Sequence, residues 1–488
     1  MNPATIATPL RARARQTALQ EELLLGLAMA GLLVVVSALS AVGGGSLGRA
    51  IFMASALAIA SLAKRRSPWL FLSASLWIWL TTAFIRRMIE WHSGFNPTDI
   101  VLVTPSLTAL LIVPDILRSR GLLNRPGVGY ALLLTACVTY GLFVSFVRGS
   151  LLGAAMAGAD WLVPLLYLYL FICHAERIDE AEGHFAPFLS LSLLFVVPYT
   201  LYQYFRMPDW DATWMIGAEM GSLGSPLPMG SRVFGPLNNP GFLAIWAGTC
   251  VVLLSHFRSW LLLALAPFLF LVVAITQVRC VYASMLLAIG VGALIGRGGF
   301  GRMISIIVVA MLSGYVGLAV LDPQVTDQLT TRFATFGNLS SDTSAEIRAE
   351  LYAETPALID KNPFGTGIGA QGRGAAGQQG STIAIDSGPL SVLLGLGWIA
   401  GPLYMLGMGL LQLRVLPVGR RRNSPVASAM AAAAICPLAT FPFLNVIQFE
   451  GVILWVCLGY ALAVEIKATM AAPARQGARS MALEGVPL

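Results

Sequence analysis

Three arginines in the polar segments of this chain have local sequences that suit the binding of an anionic group. Arg232 precedes a turn rich in Gly, Pro and Asn, Arg279 lies in a very short segment between two apolar runs, and Arg348 follows the sequence Thr-Ser-Ala-Glu. The planar guanidinium group donates hydrogen bonds in a fork that matches phosphate and carboxylate groups, and it keeps its charge at any relevant pH. We therefore interpret these three arginines as candidate ligands of phosphate or carboxylate groups.

The turn that follows Arg232 is the first candidate anion site. Its last residues, Asn238-Asn239-Pro240-Gly241, break regular structure, and a proline suits the first turn of a helix that an asparagine caps. A helix N-terminus with an arginine nearby binds anions readily. Turn chemistry alone also explains the same residues.

The longest polar stretch runs from Asp322 to Asp386 and contains Arg348 and the glycine-rich run Asn362–Gly369. Thr343-Ser344-Ala345-Glu346 is typical of a capping box, so a helix is predicted to begin there. A local ion pair with a neighbouring glutamate is the alternative role of Arg348. The glycine run lacks the Gly-Lys-Ser/Thr ending and the preceding strand of a nucleotide-binding loop, which excludes that interpretation.

Asp386 ends this polar stretch and is followed by Ser387-Gly388-Pro389, where the next helix is predicted to begin. The aspartate either caps that helix or has a catalytic role, and the sequence leaves both open.

The elements that position these residues are apolar helices. The chain has 488 residues, of which 57% are hydrophobic and only 11% charged, whereas globular domains carry about 25% charged residues. Fourteen apolar runs approach the roughly 20 residues that cross a bilayer: Leu23–Val42, Ala50–Ala63, Pro68–Ile85, Ile100–Leu117, Gly127–Val147, Leu151–Ile172, Phe185–Phe205, Pro240–Phe257, Trp260–Thr276, Cys280–Ile295, Met303–Leu321, Ser387–Leu413, Val426–Leu444 and Phe449–Ile466. The predicted fold class is an all-α, polytopic transmembrane bundle of about 14 spans with a long, partly helical periplasmic loop.

Charge predicts the orientation of this bundle, because basic loops stay in the cytoplasm. With both termini in the cytoplasm, most of the 31 Lys and Arg fall on the inner side, so the net charge of +7 reports topology rather than nucleic-acid binding. The predicted organisation is a cytoplasmic N-terminal segment (1–22), helices 1–11 with a periplasmic loop at 206–239 (23–321), a large periplasmic loop (322–386), helices 12–14 (387–466) and a cytoplasmic tail (467–488).

Other charged or reactive residues carry weaker signals. The six cysteines form no Cys-x-x-Cys pair and the four histidines show no ligand spacing, so neither a metal nor a cofactor is predicted. Arg49, Arg86 and Arg206 lie near span ends, where we favour snorkelling to the interface. Asp160 lies deep in an apolar run, and a carboxylate within a membrane span is a candidate functional residue. Arg148 is one candidate for its ion-pair partner.

In their order, these features resemble the O-antigen polymerase and O-antigen ligase superfamily, the Wzy-type membrane glycosyltransferases. The resemblance covers roughly residues 230–410. It rests on an arginine before a Gly…Asn-Pro turn (Arg232–Gly241), an arginine that opens a helix (Arg279) and a long outer loop. That loop contains Arg348 and the glycine-rich run Asn362–Gly369. The loop ends in a polar residue that leads into the glycine-rich Gly395–Gly401.

The resemblance implies that the substrates are undecaprenyl-diphosphate-linked oligosaccharides at the periplasmic face of the bacterial inner membrane. Arg232, Arg279 and Arg348 would then contact the diphosphate without a metal ion. Asp386 would act as general base or orient the acceptor hydroxyl, with Glu219 as the second candidate.

The ligase branch has a histidine where the long loop re-enters the membrane, and this chain has Asp386 there. The resemblance therefore favours a polymerase that builds O-antigen, capsule or exopolysaccharide. Implied partners are lipid-linked oligosaccharides, membrane lipids, a chain-length regulator and export proteins, but no nucleic acid. A ligase that moves lipid-linked glycan to an acceptor, a transporter or flippase, and a structural assembly partner remain alternatives.

Overall fold

The computed structural model describes residues 3–148, 151–254, 260–295, 343–370 and 387–471. Within these ranges the regular elements are helices, and strand-like pairing is limited to one isolated bridge between Gly224 and Ser231. The helices are α1 (Pro3–Ala41), α2 (Gly45–Arg66), α3 (Pro68–Ser93), α4 (Thr104–Ala109), α5 (Val113–Arg118), α6 (Val128–Val147), α7 (Leu151–Cys173), α8 (Ile178–Arg206), α9 (Asp209–Ala218), α10 (Pro240–Leu254), α11 (Trp260–Thr276), α12 (Arg279–Ile295), α13 (Thr343–Lys361), α14 (Gly388–Val415), α15 (Val418–Arg422), α16 (Pro425–Ala433), α17 (Ile435–Thr440) and α18 (Gln448–Met470). The predicted all-α fold class is confirmed.

Nine helical stretches in the described ranges are long and apolar enough to cross a membrane. They are Arg15–Ala41, Gly45–Arg66, Pro68–Ser93, Ile100–Arg118, Val128–Val147, Gly153–Cys173, Ala175–Arg206, Gly388–Arg422 and Gln448–Met470. Four further apolar helical stretches are shorter: Pro240–Leu254, Ala264–Thr276, Arg279–Ile295 and Pro425–Thr440. The predicted run Met303–Leu321 lies outside the described residues, and the number of about 14 spans stays a prediction.

Charged side chains at one end of the bundle come from the segments that the sequence assigns to the cytoplasm. We call this the basic end and define it by four ion pairs: Arg15–Glu182, Lys64–Asp115, Arg414–Glu465 and Lys467–Asp179. A cavity of about 1030 Å³ opens there, lined by basic and acidic side chains of α1, α8 and α18. Segments that the sequence assigns to the cytoplasm thus lie together at one end, as expected when successive helices run in opposite directions. Which side of a membrane this end faces stays a prediction.

The opposite end carries the polar loops, and we call it the loop end. It is defined by contacts that join residues distant in sequence: Arg49–Asp99, Arg87–Asp211, Arg148–Asn362 and Arg232–Thr276. The glycine-rich run, the loop after α9 and the beginning of α14 all lie here. All candidate site residues that the structure describes therefore belong to one end of the bundle.

The helices at the loop end do not begin at one level. Helices α7 and α18 run side by side, with Gly451 against Pro164 and Gly459 against Phe171. Pro164 is thirteen residues into α7 and Gly451 three residues into α18, so α18 begins about 15 Å deeper than α7, at 1.5 Å per residue. Its N-terminus, and the irregular segment 441–447 before it, therefore lie within the depth of the bundle.

Candidate functional site

Arg87 is the centre of the loop end. Its guanidinium group is fully buried and donates to Asp211 Oδ1 (2.7 Å), to the carbonyl oxygens of Gly235 (2.7 Å) and Leu237 (2.6 Å), and to Asn238 Oδ1 (3.0 Å). Four of its five N–H donors are satisfied and a carboxylate supplies the counter-charge, which makes the burial of this charge tolerable. The arginine thus fixes the path of the chain between Arg232 and α10.

Asp211 and Gln203 continue this network into α8. Asp211 Oδ2 accepts from Tyr199 Oη (2.8 Å) and from Gln203 Nε2 (2.5 Å), while Gln203 Oε1 accepts from the amides of Phe234 (3.0 Å) and Gly235 (2.8 Å). The loop after Arg232 is therefore held on two sides. Sequence reasoning missed this network because its members are separated by up to 151 positions.

The structure brings Arg232 to the hairpin that carries Arg279. Arg232 Nε donates to the Thr276 carbonyl oxygen (3.3 Å) at the C-terminal end of α11, and Nη1 donates to the Ser222 carbonyl oxygen (3.4 Å). Carbonyl groups at a helix C-terminus attract a cation. Arg279 begins α12 three residues after Thr276, so the Cα atoms of residues 276 and 279 are within about 11 Å of each other. The segments that carry two of the three predicted phosphate ligands therefore meet.

Glu219 lies in the same loop but is not enclosed. It follows α9 with a φ of +50°, is exposed, and makes no side-chain hydrogen bond within the part of the chain that the structure describes. It precedes Ser222, the second contact of Arg232, by three residues. Its placement beside Arg232 is compatible with a role there, but nothing holds its carboxylate in one position.

The helix predicted after the capping box is present as α13, which begins at Thr343. The side chain of Arg348 lies outside the described residues, and so does Asp386. Position 348 is four residues before Tyr352 and therefore on the same face of α13. The Tyr352 hydroxyl lies 2.8 Å from Ser387 Oγ and donates to the Pro442 carbonyl oxygen (3.1 Å). Helix α13 is thus docked on Ser387, the residue before α14, and on Pro442.

The glycine-rich run is a structural joint. The amides of Thr366 and Gly367 donate to the carbonyl oxygens of Leu394 (2.8 Å) and Gly395 (3.0 Å). Helix α14 is interrupted at Gly397, where φ is +75° and ψ is −173°. We call this pairing of residues 363–367 with residues 394–398 the glycine joint. It unites the two glycine-rich segments on which the family resemblance partly rests.

Side chains leave no room in the glycine joint. A Cβ atom on Gly365 would lie 2.5 Å from the Gly395 carbonyl oxygen, and Gly365 has a φ of +84° that favours glycine. The run also binds α6, because the Gly369 amide donates to Ser145 Oγ (2.8 Å) and Arg148 Nη2 donates to Asn362 Oδ1 (3.0 Å). Close backbone packing therefore accounts for these glycines.

Two arginines that were expected to snorkel are instead paired within the protein. Arg49 Nε donates to Asp99 Oδ2 (2.8 Å), and Arg86 Nε donates to Glu90 Oε1 (2.7 Å) with Arg86 only 5% exposed. Snorkelling is wrong for both, because acidic residues within reach satisfy the guanidinium groups at lower desolvation cost than lipid would.

Sequence reasoning also missed Glu450, the third residue of α18. It is 3% exposed, and its Oε1 lies 3.4 Å from the position that a Cβ atom on Gly241 would take. A usable signal was present: Glu450 lies inside an apolar run whose next fourteen residues carry no charge. The predicted span began at Phe449, which made Glu450 look like a residue of the span boundary.

Within the described ranges no group of three or more His, Cys, Asp or Glu residues is arranged to hold a metal ion. Fold and contacts define an all-helical protein, in the ranges that the structure describes, with helices apolar enough to cross a membrane and with its buried Arg87–Asp211 pair at the loop end. A scan against models of known protein families finds no match, and a search of curated proteins finds no significant relative.

Proposed function

We propose that this protein is a membrane glycosyltransferase that joins undecaprenyl-diphosphate-linked oligosaccharide repeats into a surface or secreted polysaccharide. The observation that carries the proposal is the hydrogen bond from Arg232 to the Thr276 carbonyl oxygen, which sets one arginine beside the hairpin of Arg279. Arginines from two segments that meet could together bind the four non-bridging oxygens of a diphosphate, which share two negative charges, better than isolated arginines would.

The proposed reaction depends on stabilising the charge of the leaving diphosphate more than on a covalent bond between enzyme and substrate. The anomeric C–O bond to diphosphate breaks as the acceptor hydroxyl oxygen bonds to the anomeric carbon, and the bond electrons leave on the diphosphate. Arg232, Arg279 and Arg348 would stabilise that charge, and no metal ion is required for this role. Asp386 is the first candidate to receive the hydroxyl proton, and Glu219 is the second.

The proposal places the loop end in the periplasm and the basic end in the cytoplasm. Basic segments are retained in the cytoplasm during insertion, and the ion pairs Arg15–Glu182 and Lys467–Asp179 lie with the other basic segments. Lipid-linked repeats at the outer leaflet would then meet the arginines without crossing the bundle.

A transporter or flippase is the second candidate, and the interruption of α14 at Gly397 favours it, since transporters use broken helices at their binding sites. In this chain, however, the carbonyl groups near the break accept hydrogen bonds from Thr366 and Gly367. A break whose backbone groups are paired in this way serves packing, so we favour the transferase.

Purified protein in lipid nanodiscs, with a defined undecaprenyl-diphosphate repeat and a chelator, tests the proposal. A ladder of lipid-linked polymer supports polymerase, whereas transfer that occurs only onto an added acceptor such as lipid A core supports ligase. With the same protein reconstituted into sealed vesicles, movement of the repeat across the vesicle membrane without a new glycosidic bond supports transport. If Arg279→Ala and Arg348→Ala both leave polymer yield and length unchanged, the diphosphate assignment is wrong.

A further inference from the structure

Glu450 differs from the other buried glutamates that the structure describes. Glu90 Oε1 accepts from Arg86 Nε (2.7 Å) and from the Asn96 amide (3.2 Å), and Glu22 Oε1 lies within hydrogen-bond distance of Ser73 and His184. Glu450 is 3% exposed and has no hydrogen-bond partner or ion pair among the described residues. Burying a carboxyl group without partners is costly, so such a group points to a ligand that supplies them.

The position of Glu450 in its helix does not explain it. It is the third residue of α18, where a glutamate ordinarily reaches back to the amide of the residue before the helix. No such hydrogen bond to Ile447 is formed. Next to it, Gln448 has a φ of +54°, a conformation that residues other than glycine rarely adopt. Strained backbone of this kind clusters at functional sites.

The carboxylate faces the N-terminus of a second helix. Its Oε1 lies 3.4 Å from the position of a Cβ atom on Gly241, in the first turn of α10, where Asn239 Oδ1 accepts from the Gly241 amide (2.7 Å). Because Gly241 has no side chain, the carboxylate approaches the first turn of α10 without an intervening Cβ atom. The same turn follows the segment that Arg87 holds in place.

The arginine hairpin meets α10 two turns further along. Gly248 of α10 packs against Val281, which follows Arg279 by two residues. Gly241 and Gly248 are seven residues apart, or about 10 Å along the helix axis. A diphosphate, the donor sugar joined to it and an acceptor sugar next to that donor can span such a separation. The donor diphosphate could thus contact the arginines while the acceptor sugar contacts the Glu450 region.

We propose that Glu450 is the binding residue for hydroxyl groups of the acceptor sugar, with the N-terminal turn of α10 as the wall of that subsite. This inference rests on the proposed function, since it takes the arginine neighbourhood as the diphosphate end of the substrate. Hydroxyl groups donate hydrogen bonds that satisfy a buried carboxylate without adding charge. The role is binding and orientation, and it leaves proton removal to a separate group.

Acceptor kinetics test the inference. Glu450→Gln keeps the shape of the side chain but replaces one acceptor oxygen by an amide nitrogen that can only donate, so KM for a short-chain lipid-linked acceptor should rise about tenfold while kcat changes little. Glu450→Leu should raise this KM further. Glu465→Gln, in the same helix at the basic end, is the matched control and should leave acceptor KM unchanged.

Carbodiimide labelling of the wild-type protein tests the same site without a mutation. A hydrophobic carbodiimide should modify Glu450, and added lipid-linked repeat should protect it, as measured by mass spectrometry of the peptides. Labelling of Glu22, which lies towards the basic end, should not respond to the repeat. Wild-type acceptor KM in Glu450→Gln and Glu450→Leu, together with labelling of Glu450 that the repeat does not change, would overturn the inference.

The two proposals fail in different ways. If the wild-type protein makes no polymer but the repeat protects Glu450, the sugar site stands and the polymerase is wrong. If polymer forms while Glu450 responds to neither test, the polymerase stands and the sugar site is wrong.

Discussion

Arg87 and Asp211 form an ion pair in which both side chains are completely buried, with Nε 2.7 Å from Oδ1. The pair joins α3 to α9 and, through the carbonyl oxygens of Gly235 and Leu237, to the turn before α10. The candidate site therefore depends on an arginine that is not expected to touch substrate. The geometry of Arg232 follows from this anchor.

Removal of one partner of this pair should destabilise the protein strongly. Asp211→Asn leaves a buried guanidinium group without its counter-charge, which should lower the free energy of unfolding by about 3 kcal/mol. Denaturant titration in detergent, followed by tryptophan fluorescence, measures it. Glu465→Gln, which removes the partly exposed pair with Arg414, should cost less than about 1 kcal/mol. Equal losses in the two variants would contradict the central role of Arg87.

The arginine hairpin should respond to shape as well as charge. Arg279→Lys keeps the charge but loses the planar fork, so turnover should fall about tenfold, and Arg279→Ala should reduce it about a hundredfold. Rates of polymer formation at saturating repeat concentration measure both. Arg206→Ala changes an exposed arginine at the end of α8 and should retain wild-type turnover. A similar loss in Arg206→Ala would show that total positive charge, rather than position, matters.

The glycine joint should tolerate no side chain. Gly365→Ala places a methyl group 2.5 Å from the Gly395 carbonyl oxygen at a backbone φ of +84°, so the thermal unfolding midpoint should drop by several degrees. Gly409→Ala in α14 meets nothing within 4 Å and should leave the midpoint unchanged or raise it. An unchanged midpoint for Gly365→Ala would mean that this pairing contributes little to stability.

The contact between Tyr352 and Ser387 should influence activity through position rather than chemistry. Tyr352→Phe removes the hydroxyl that reaches Ser387 Oγ and the Pro442 carbonyl oxygen, and turnover should fall about fivefold while the protein remains folded. Ser387→Ala should act similarly, and the double variant should lose less than the product of the two single losses, because both break one contact. Independent, multiplicative losses would exclude a shared role.

Impermeant thiol labelling should reveal the orientation of the bundle. A cysteine in place of Ser225, exposed in the loop after α9, should react in cells whose outer membrane alone is permeabilised. A cysteine in place of Arg421, which lines the cavity at the basic end, should react only after the inner membrane is opened. Native cysteines provide the background, measured in the parent protein. The reverse pattern would place Arg232 and Arg279 in the cytoplasm and contradict the proposal of a lipid-linked substrate at the periplasmic face.

The sequence predicted local structure well because apolar length and helix-starting residues are local properties. Pro240 and Pro425 lie at the beginnings of α10 and α16, and the capping box precedes the body of α13. The relative depth of two helices is different, because the offset of Gly451 against Pro164 depends on packing between distant segments. That offset is why Glu450 looked like a boundary residue.

Partner choice among charged residues was only partly visible in the sequence. Arg49 pairs with Asp99, 50 positions further along, and this pair forms only when the chain turns back on itself. Glu90 follows Arg86 by four residues in α3, so this pair is a local contact on one helix face that the sequence does show. The local sequences of Arg232 and Arg279 each predict an anion contact. Neither carries a signal that their two segments meet, because that contact joins residues 44 positions apart. Arg348 and Asp386 keep their sequence-based assignments, which the described side chains do not test.

Two of the groups that hold Arg87 are main-chain carbonyl oxygens, those of residues 235 and 237. Such an oxygen is present whatever side chain the position carries. These contacts therefore depend on the path of the backbone and not on the side chains at residues 235 and 237. Related polymers with different sugars could then be accommodated by exchanging neighbouring side chains, while the scaffold beneath them keeps its shape. Side chains at the loop end could therefore vary without any change in the helices that support them.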